Sequence, residues 1–187
     1  YKQSGHISSV GFEMYCNLLK EEISKFSKIK KIVSFRPTVN YYKDAFVNKK
    51  YIRNKHERLI FYDRLSKVKQ KEDLDNLKAE IVDRYGKLFL ETKNLFFITE
   101  VALLFCGPLV KNIALKEKLL QVDITNHLDP VSFENLLTDI SMFKDKNKIR
   151  ISYQNKNNNV FSVNFLCKIN IRIISNIATL FSNILKS

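Results

Sequence analysis

The chain has 187 residues, 45% of them hydrophobic and 12% aromatic, with a formal net charge of +13. That is enough apolar material for one ordinary domain with an appendage. No stretch of 18 apolar residues and no signal-like leader is found, so neither a membrane span nor secretion is expected. The 3 cysteines, Cys16, Cys106 and Cys167, are odd in number and widely spaced, which suggests reduced thiols in a cytoplasmic protein and no disulfide framework. His6, His56 and His127 show no metal-like spacing among themselves or with the cysteines.

The charge is uneven. Residues 1–71 hold 17 Lys and Arg against 6 Asp and Glu, hence +11, whereas residues 72–187 hold 15 against 13, hence +2. Such an excess fits either a nucleic-acid surface or a solvated basic face. The joint abundance of Lys, Asn, Ile, Phe and Tyr, residues of A/T-rich codons, would supply lysine without any such role.

In chain order, a polar loop with Gly5 leads to Ser8 or Ser9, either of which suits a helix cap. The helix that follows, to about Lys28, carries Phe12, Tyr15, Leu19, Ile23 and Phe26 on one face. Ile32–Arg36 has the composition of a short strand stopped by Pro37. Residues 38–54 read as irregular, pinned by Tyr41, Tyr42, Phe46, Tyr51 and Ile52; an aromatic platform for single strands is the other reading of that mixture. Two amphipathic helices come next, joined near Lys69–Glu72. The first repeats Leu59, Tyr62 and Leu65; the second repeats Leu74, Leu77, Ile81 and Val82, carries Glu80, Asp83 and Arg84 on its other face, and stops at Gly86.

A third helix, Leu90–Cys106, is apolar nearly all round and belongs at the centre of a core. The period then changes. Val110–Leu115 and Lys118–Ile124 form a hairpin, Asp129-Pro130 caps and opens a helix over Val131–Met142, and Lys148–Tyr153 pairs with Val160–Asn164 across the turn Asn155–Asn159. A final helix runs from Leu166 to Leu185. From residue 55 the order is ααα–ββ–α–ββ–α, an α+β domain with a small antiparallel sheet.

Nothing in this pattern supplies catalysis. Phosphate-cradling glycine loops and the H-E-x-x-H and G-x-S-x-G motifs are absent. Glu80 and Asp83 are paired carboxylates beside Arg84, which favours their ionised form, the reverse of what a general acid needs. On composition they serve as a charged docking face or as plain solvation.

Four blocks in succession carry a resemblance: Gln3-Ser-Gly-His-Ile7, Val10–Glu22, Glu57–Ser66 and Leu77-Lys-Ala-Glu-Ile-Val-Asp-Arg-Tyr-Gly86. Their order and spacing resemble the C-terminal region of the bacterial transcription-repair coupling factor (Mfd) family. The likeness is strong over about residues 3–105, and beyond that rests on the order of strands and helices.

The resemblance implies a multidomain, ATP-dependent DNA translocase of helicase type. Such a protein displaces stalled RNA polymerase and recruits the excision-repair protein UvrA in nucleotide excision repair. Residues 1–30 would be the tail of the motor, with Gln3 in the loop of its translocation motif; 31–50 a strand and linker; 51–187 the C-terminal regulatory domain. That domain would dock on the protein's own UvrB-like N-terminal module and mask the UvrA-binding face, with Glu80, Asp83 and Arg84 in the interdomain clamp. ATP and Mg would bind elsewhere in the full-length protein, and no cofactor, metal or catalytic residue is expected in this fragment. Duplex DNA would be engaged through the full-length protein, with no membrane contact. Two departures stand out: Val47-Asn-Lys-Lys-Tyr-Ile52 has lysines where the family has acids, and Phe89 stands where it commonly has proline. The alternative function is a basic α+β module that binds nucleic acid directly through residues 1–71.

Overall fold

A computed structural model describes residues 36–125, 128–157 and 160–183. Gln3, the helix expected over residues 9–28, residues 32–35 of the expected first strand, Cys16, His6 and His127 lie outside the described residues. Two compact units are distinguished, one built on residues 43–100, the other combining the segment up to Tyr42 with the chain from Val101 onward.

The first unit contains α1 (Lys55–Lys67), α2 (Lys71–Tyr85) and most of α3 (Leu90–Leu104). Asn54 caps α1, its side-chain oxygen accepting from the backbone N–H of His56 at 2.8 Å and of Glu57 at 3.3 Å. The buried face of α1 centres on Phe61 and Leu65, whereas Leu59 and Tyr62, assigned to it by periodicity, are half-buried flanks. In α2, Leu74, Leu77 and Ile81 are buried as expected. Val82 is not: it is 40% exposed.

Gly86 ends α2 at φ 79° and ψ −162°, its N–H donating to the Val82 carbonyl at 2.9 Å. This is outside the left-handed helical region expected of a C-terminal glycine and within a region essentially reserved for glycine.

Residues 43–54 form a strap fastened to these helices. Ala45, Val47, Tyr51 and Ile52 are buried, while Phe46 stays 37% exposed. Asn94 donates to the Asp44 carbonyl at 2.7 Å and Thr92 to that of Phe46 at 3.4 Å. The Val47 N–H donates to the Tyr62 hydroxyl at 2.8 Å, and the Tyr51 hydroxyl to the Gly86 carbonyl at 2.8 Å. Phe89 lies against Tyr51 with ring centroids 5.1 Å apart. Irregular backbone is thereby satisfied by side chains in place of a ladder.

The second unit is a five-stranded sheet of order β1-β2-β3-β5-β4 with two helices, α4 (Pro130–Asn147) and α5 (Ile171–Asn183). β2 (Val110–Lys116), β3 (Leu119–Thr125), β4 (Arg150–Asn157) and β5 (Val160–Leu166) are mutually antiparallel. β1 (Thr38–Tyr41) corrects the sequence reading: it lies inside the stretch taken as irregular and joins β2 in parallel, Thr38 opposite Asn112 and Tyr41 opposite Leu115. The sheet is therefore mixed. Its register puts Val122, Val163, Ile113 and Phe165 on one face and Gln121, Asp123, Ser162 and Asn164 on the other. Phe133 of α4 meets Phe161, and Phe181 of α5 meets Phe165, so both helices cover the apolar face.

Asp129 caps α4 by accepting from the Ser132 N–H at 3.0 Å, with Pro130 in the first turn. The helix runs past Met142 to Asn147. The final helix is shorter than expected. Leu166 belongs to β5, paired with Leu119 and Arg150, and α5 starts only after Asn170, whose side chain accepts from the Ile173 N–H at 3.0 Å.

Candidate docking surface on the helical pair

The three residues singled out on α2 do not act as one cluster. Glu80 reaches across to α1, where Arg64 grips both its carboxylate oxygens at 2.6 and 2.5 Å. Arg84 lies 3.8 Å from Glu80 and 3.6 Å from Glu57 of α1. Together Glu57, Arg84, Glu80 and Arg64 make a ladder of alternating charge between two antiparallel helices. Asp83 points elsewhere: it is exposed and makes no hydrogen bond or ion pair with the described residues. At the other end of α2, Lys71 pairs with Glu100 of α3.

Arg64, by its paired hydrogen bonds, holds the Glu80 carboxyl below its ordinary value, and Arg84 adds to this. The expectation that Arg84 alone keeps Glu80 charged is therefore corrected. A carboxylate fixed in its ionised form and open to solvent suits ion pairing and is unsuited to delivering a proton.

The pair is more than a third exposed on both sides, so solvent screening limits it to about 1 kcal/mol at most. Because the folded-state pKa is lowered, the contribution is present above the unfolded value near 4.5 and is lost as pH falls through the folded one. Glu80→Gln should thus lower the stability of this chain at pH 7 by at most about 1 kcal/mol. Urea titrations at descending pH should show the difference closing below the ordinary carboxylate range; a gap that persists under acid would mean the glutamate acts through something other than its charge.

Arg64 and Glu57 were not singled out in the sequence. The usable signal was the short connection between α1 and α2, which makes them antiparallel neighbours and sets charges near the start of one against charges near the end of the other. Among the described residues no group of three or more His, Cys, Asp or Glu side chains is placed to hold a metal ion, and no helix is long and apolar enough to cross a membrane.

The sequence model of the TRCF domain family matches residues 42–136, which includes all three helices and this ladder. The transcription-repair-coupling factor of Myxococcus xanthus is 36% identical over 98 residues, 52% of this chain and 8% of the relative. That of Rickettsia conorii is 30% identical over 167 residues, 79% of this chain and 15% of the relative. The chain therefore spans a small part of the curated relatives it matches. Among solved structures, the crystal structure of a C-terminal domain of transcription-repair coupling factor aligns with a TM-score of 0.56 at 15% identity, covering 81% of this chain and 94% of that one. At that identity the likeness is one of fold.

Proposed function

The chain belongs to the transcription-repair-coupling factor family through its TRCF domain, and on that premise we propose that it is the C-terminal regulatory region of such a factor. Its exposed α1–α2 face docks on the UvrB-like N-terminal module of the same polypeptide and masks the UvrA-binding face. Residues 1–30, with Gln3, are the tail of an ATP- and Mg-dependent DNA translocase that acts on stalled RNA polymerase in nucleotide excision repair in the cytoplasm.

The observation that carries this reading is the charge ladder with Asp83 left outside it. Glu57, Arg64, Glu80 and Arg84 are satisfied within the fold, so covering them leaves no unpaired charge behind. Asp83 retains an uncompensated carboxylate for a cation on the docked surface. Exposed ion pairs are worth only about 0–1 kcal/mol each, so a closed state built this way is reversible. Rearrangement of the motor on ATP and polymerase binding then shifts the population toward the open form.

The test is capture of UvrA by the full-length protein. Asp83→Lys should increase capture severalfold without loss of folding, because Asp83 contributes no contact inside the domain. Glu80→Ala also loosens α1 from α2 and is less diagnostic. Capture unchanged by Asp83→Lys would remove the clamp.

The competing reading, nucleic-acid binding through residues 1–71, is favoured by the +11 carried there. Titration of this chain with duplex and single-stranded DNA at two salt concentrations separates the two: micromolar affinity that falls steeply with salt supports direct binding.

A further inference from the structure

The clamp as so far described lacks an apolar component, and charge pairs of this kind are too weak to hold a domain closed alone. Ile60 supplies one. It is 46% exposed on α1, whose core-facing residues are Phe61 and Leu65. In a helix, residues three and four apart share a face, so Ile60 lies one turn after Glu57 and one turn before Arg64. Both neighbours reach across to α2, Glu57 to Arg84 at 3.6 Å and Arg64 to Glu80 at 2.5 Å. Asp83 lies one turn after Glu80 and adjoins Arg84 in sequence. Ile60 and Asp83 thus rise from facing helices on either side of one ladder of ion pairs.

An apolar centre with a rim of charges is the usual anatomy of a docking patch. Here the rim is already paired internally, which lowers the cost of excluding water around the isoleucine. The other apolar side chains exposed in this unit lack such a rim. Phe89 packs on Tyr51, and Leu90, 66% exposed, sits at the start of α3 with no ion pair beside it among the described residues.

We propose that Ile60 is the apolar anchor of the docking surface, seated against an apolar side chain of another region of the same polypeptide that also presents a cation to Asp83. The occupant follows from two facts. The curated relatives extend far beyond the matched segment, of which this chain spans 8% and 15%, so an intramolecular partner is at hand. The ladder is self-neutralised while Asp83 is not, so the complement must be positively charged. This inference rests on the masking role proposed above.

The experiment uses the full-length protein, UvrA capture as readout, and circular dichroism to verify folding. Ile60→Gln replaces an exposed side chain by a good helix former and should leave the fold intact. Loss of about half of an isoleucine's burial corresponds to a rise in capture of about fivefold. Ile60→Leu should stay near wild type, and Leu90→Gln, equally apolar but off the ladder, should not change capture. If Asp83→Lys raises capture and Ile60→Gln does not, the anchor is overturned and the clamp stands. If neither changes capture, the masking role fails and the anchor falls with it. Equal increases from Ile60→Gln and Leu90→Gln would also overturn the anchor, since any exposed apolar side chain would then suffice.

Discussion

Phe61→Ala should lower the unfolding free energy of the 43–100 unit by about 3–5 kcal/mol, the range for deleting a fully buried aromatic ring. Phe61 is 2% exposed and packs edge-on against Phe96 of α3 and Tyr62, each at 5.8 Å between centroids. Its removal therefore opens a cavity where α1 meets α3, and few neighbours can move in, because Leu95 and Phe96 are themselves fixed in the core. Against a total of about 5–15 kcal/mol for a small domain, the unit would be close to unfolding. Hydrogen exchange is the suitable measurement because it reports amides of residues 43–100 separately from the sheet unit. Ile60→Ala, one residue earlier, should change protection by no more than about 0.5 kcal/mol. A Phe61→Ala loss below about 1 kcal/mol would show that the site collapses around the deletion.

Gly86→Ala should cost about 1–3 kcal/mol, the strain of a side chain at φ 79° and ψ −162°. Space is not the reason, since a Cβ there would meet nothing within 4 Å. The comparison with Gly86→Asn is diagnostic. Asparagine tolerates the left-handed helical region and would largely restore a cap of that kind, but it gains nothing at an extended ψ. Both variants are expected to be similarly destabilised in urea titrations, and recovery in the asparagine variant would mean that the cap relaxes to the left-handed form. The carbonyl of Gly86 also accepts from the Tyr51 hydroxyl, so strain here is transmitted to the 43–54 strap as well as to the end of α2 that carries Asp83.

Asp83 itself illustrates how far a charge pattern can be taken. Glu80, Asp83 and Arg84 are adjacent on α2 and read as one group, yet a single guanidinium from α1 divides them. Arg64 takes Glu80 into the fold's own ladder and leaves Asp83 outside. Nothing within α2 encodes that division, because the distance between Arg64 and Glu80 depends on how two helices cross.

The sequence by itself determined the helices, the four antiparallel strands and their order, because each depends on a local period or cap. Leu74, Leu77 and Ile81 recur at helical spacing; Asp129-Pro130 opens α4 through a side chain three residues from its donor; Gly86 closes α2. The succession of four blocks also indicated the family. Only the tertiary structure decided what depends on partners distant in the chain. Thr38–Tyr41 is too short to declare itself a strand and becomes one by pairing with Asn112–Leu115. Thr92 and Asn94 are buried in a helix because they bind the strap's carbonyls. Leu166 extends a strand, and does not start a helix, because Leu119 and Arg150 flank it. On the docking face, periodicity identified a helix surface, but the crossing of α1 and α2 selected which of its charges are spent within the fold and which remain for a partner.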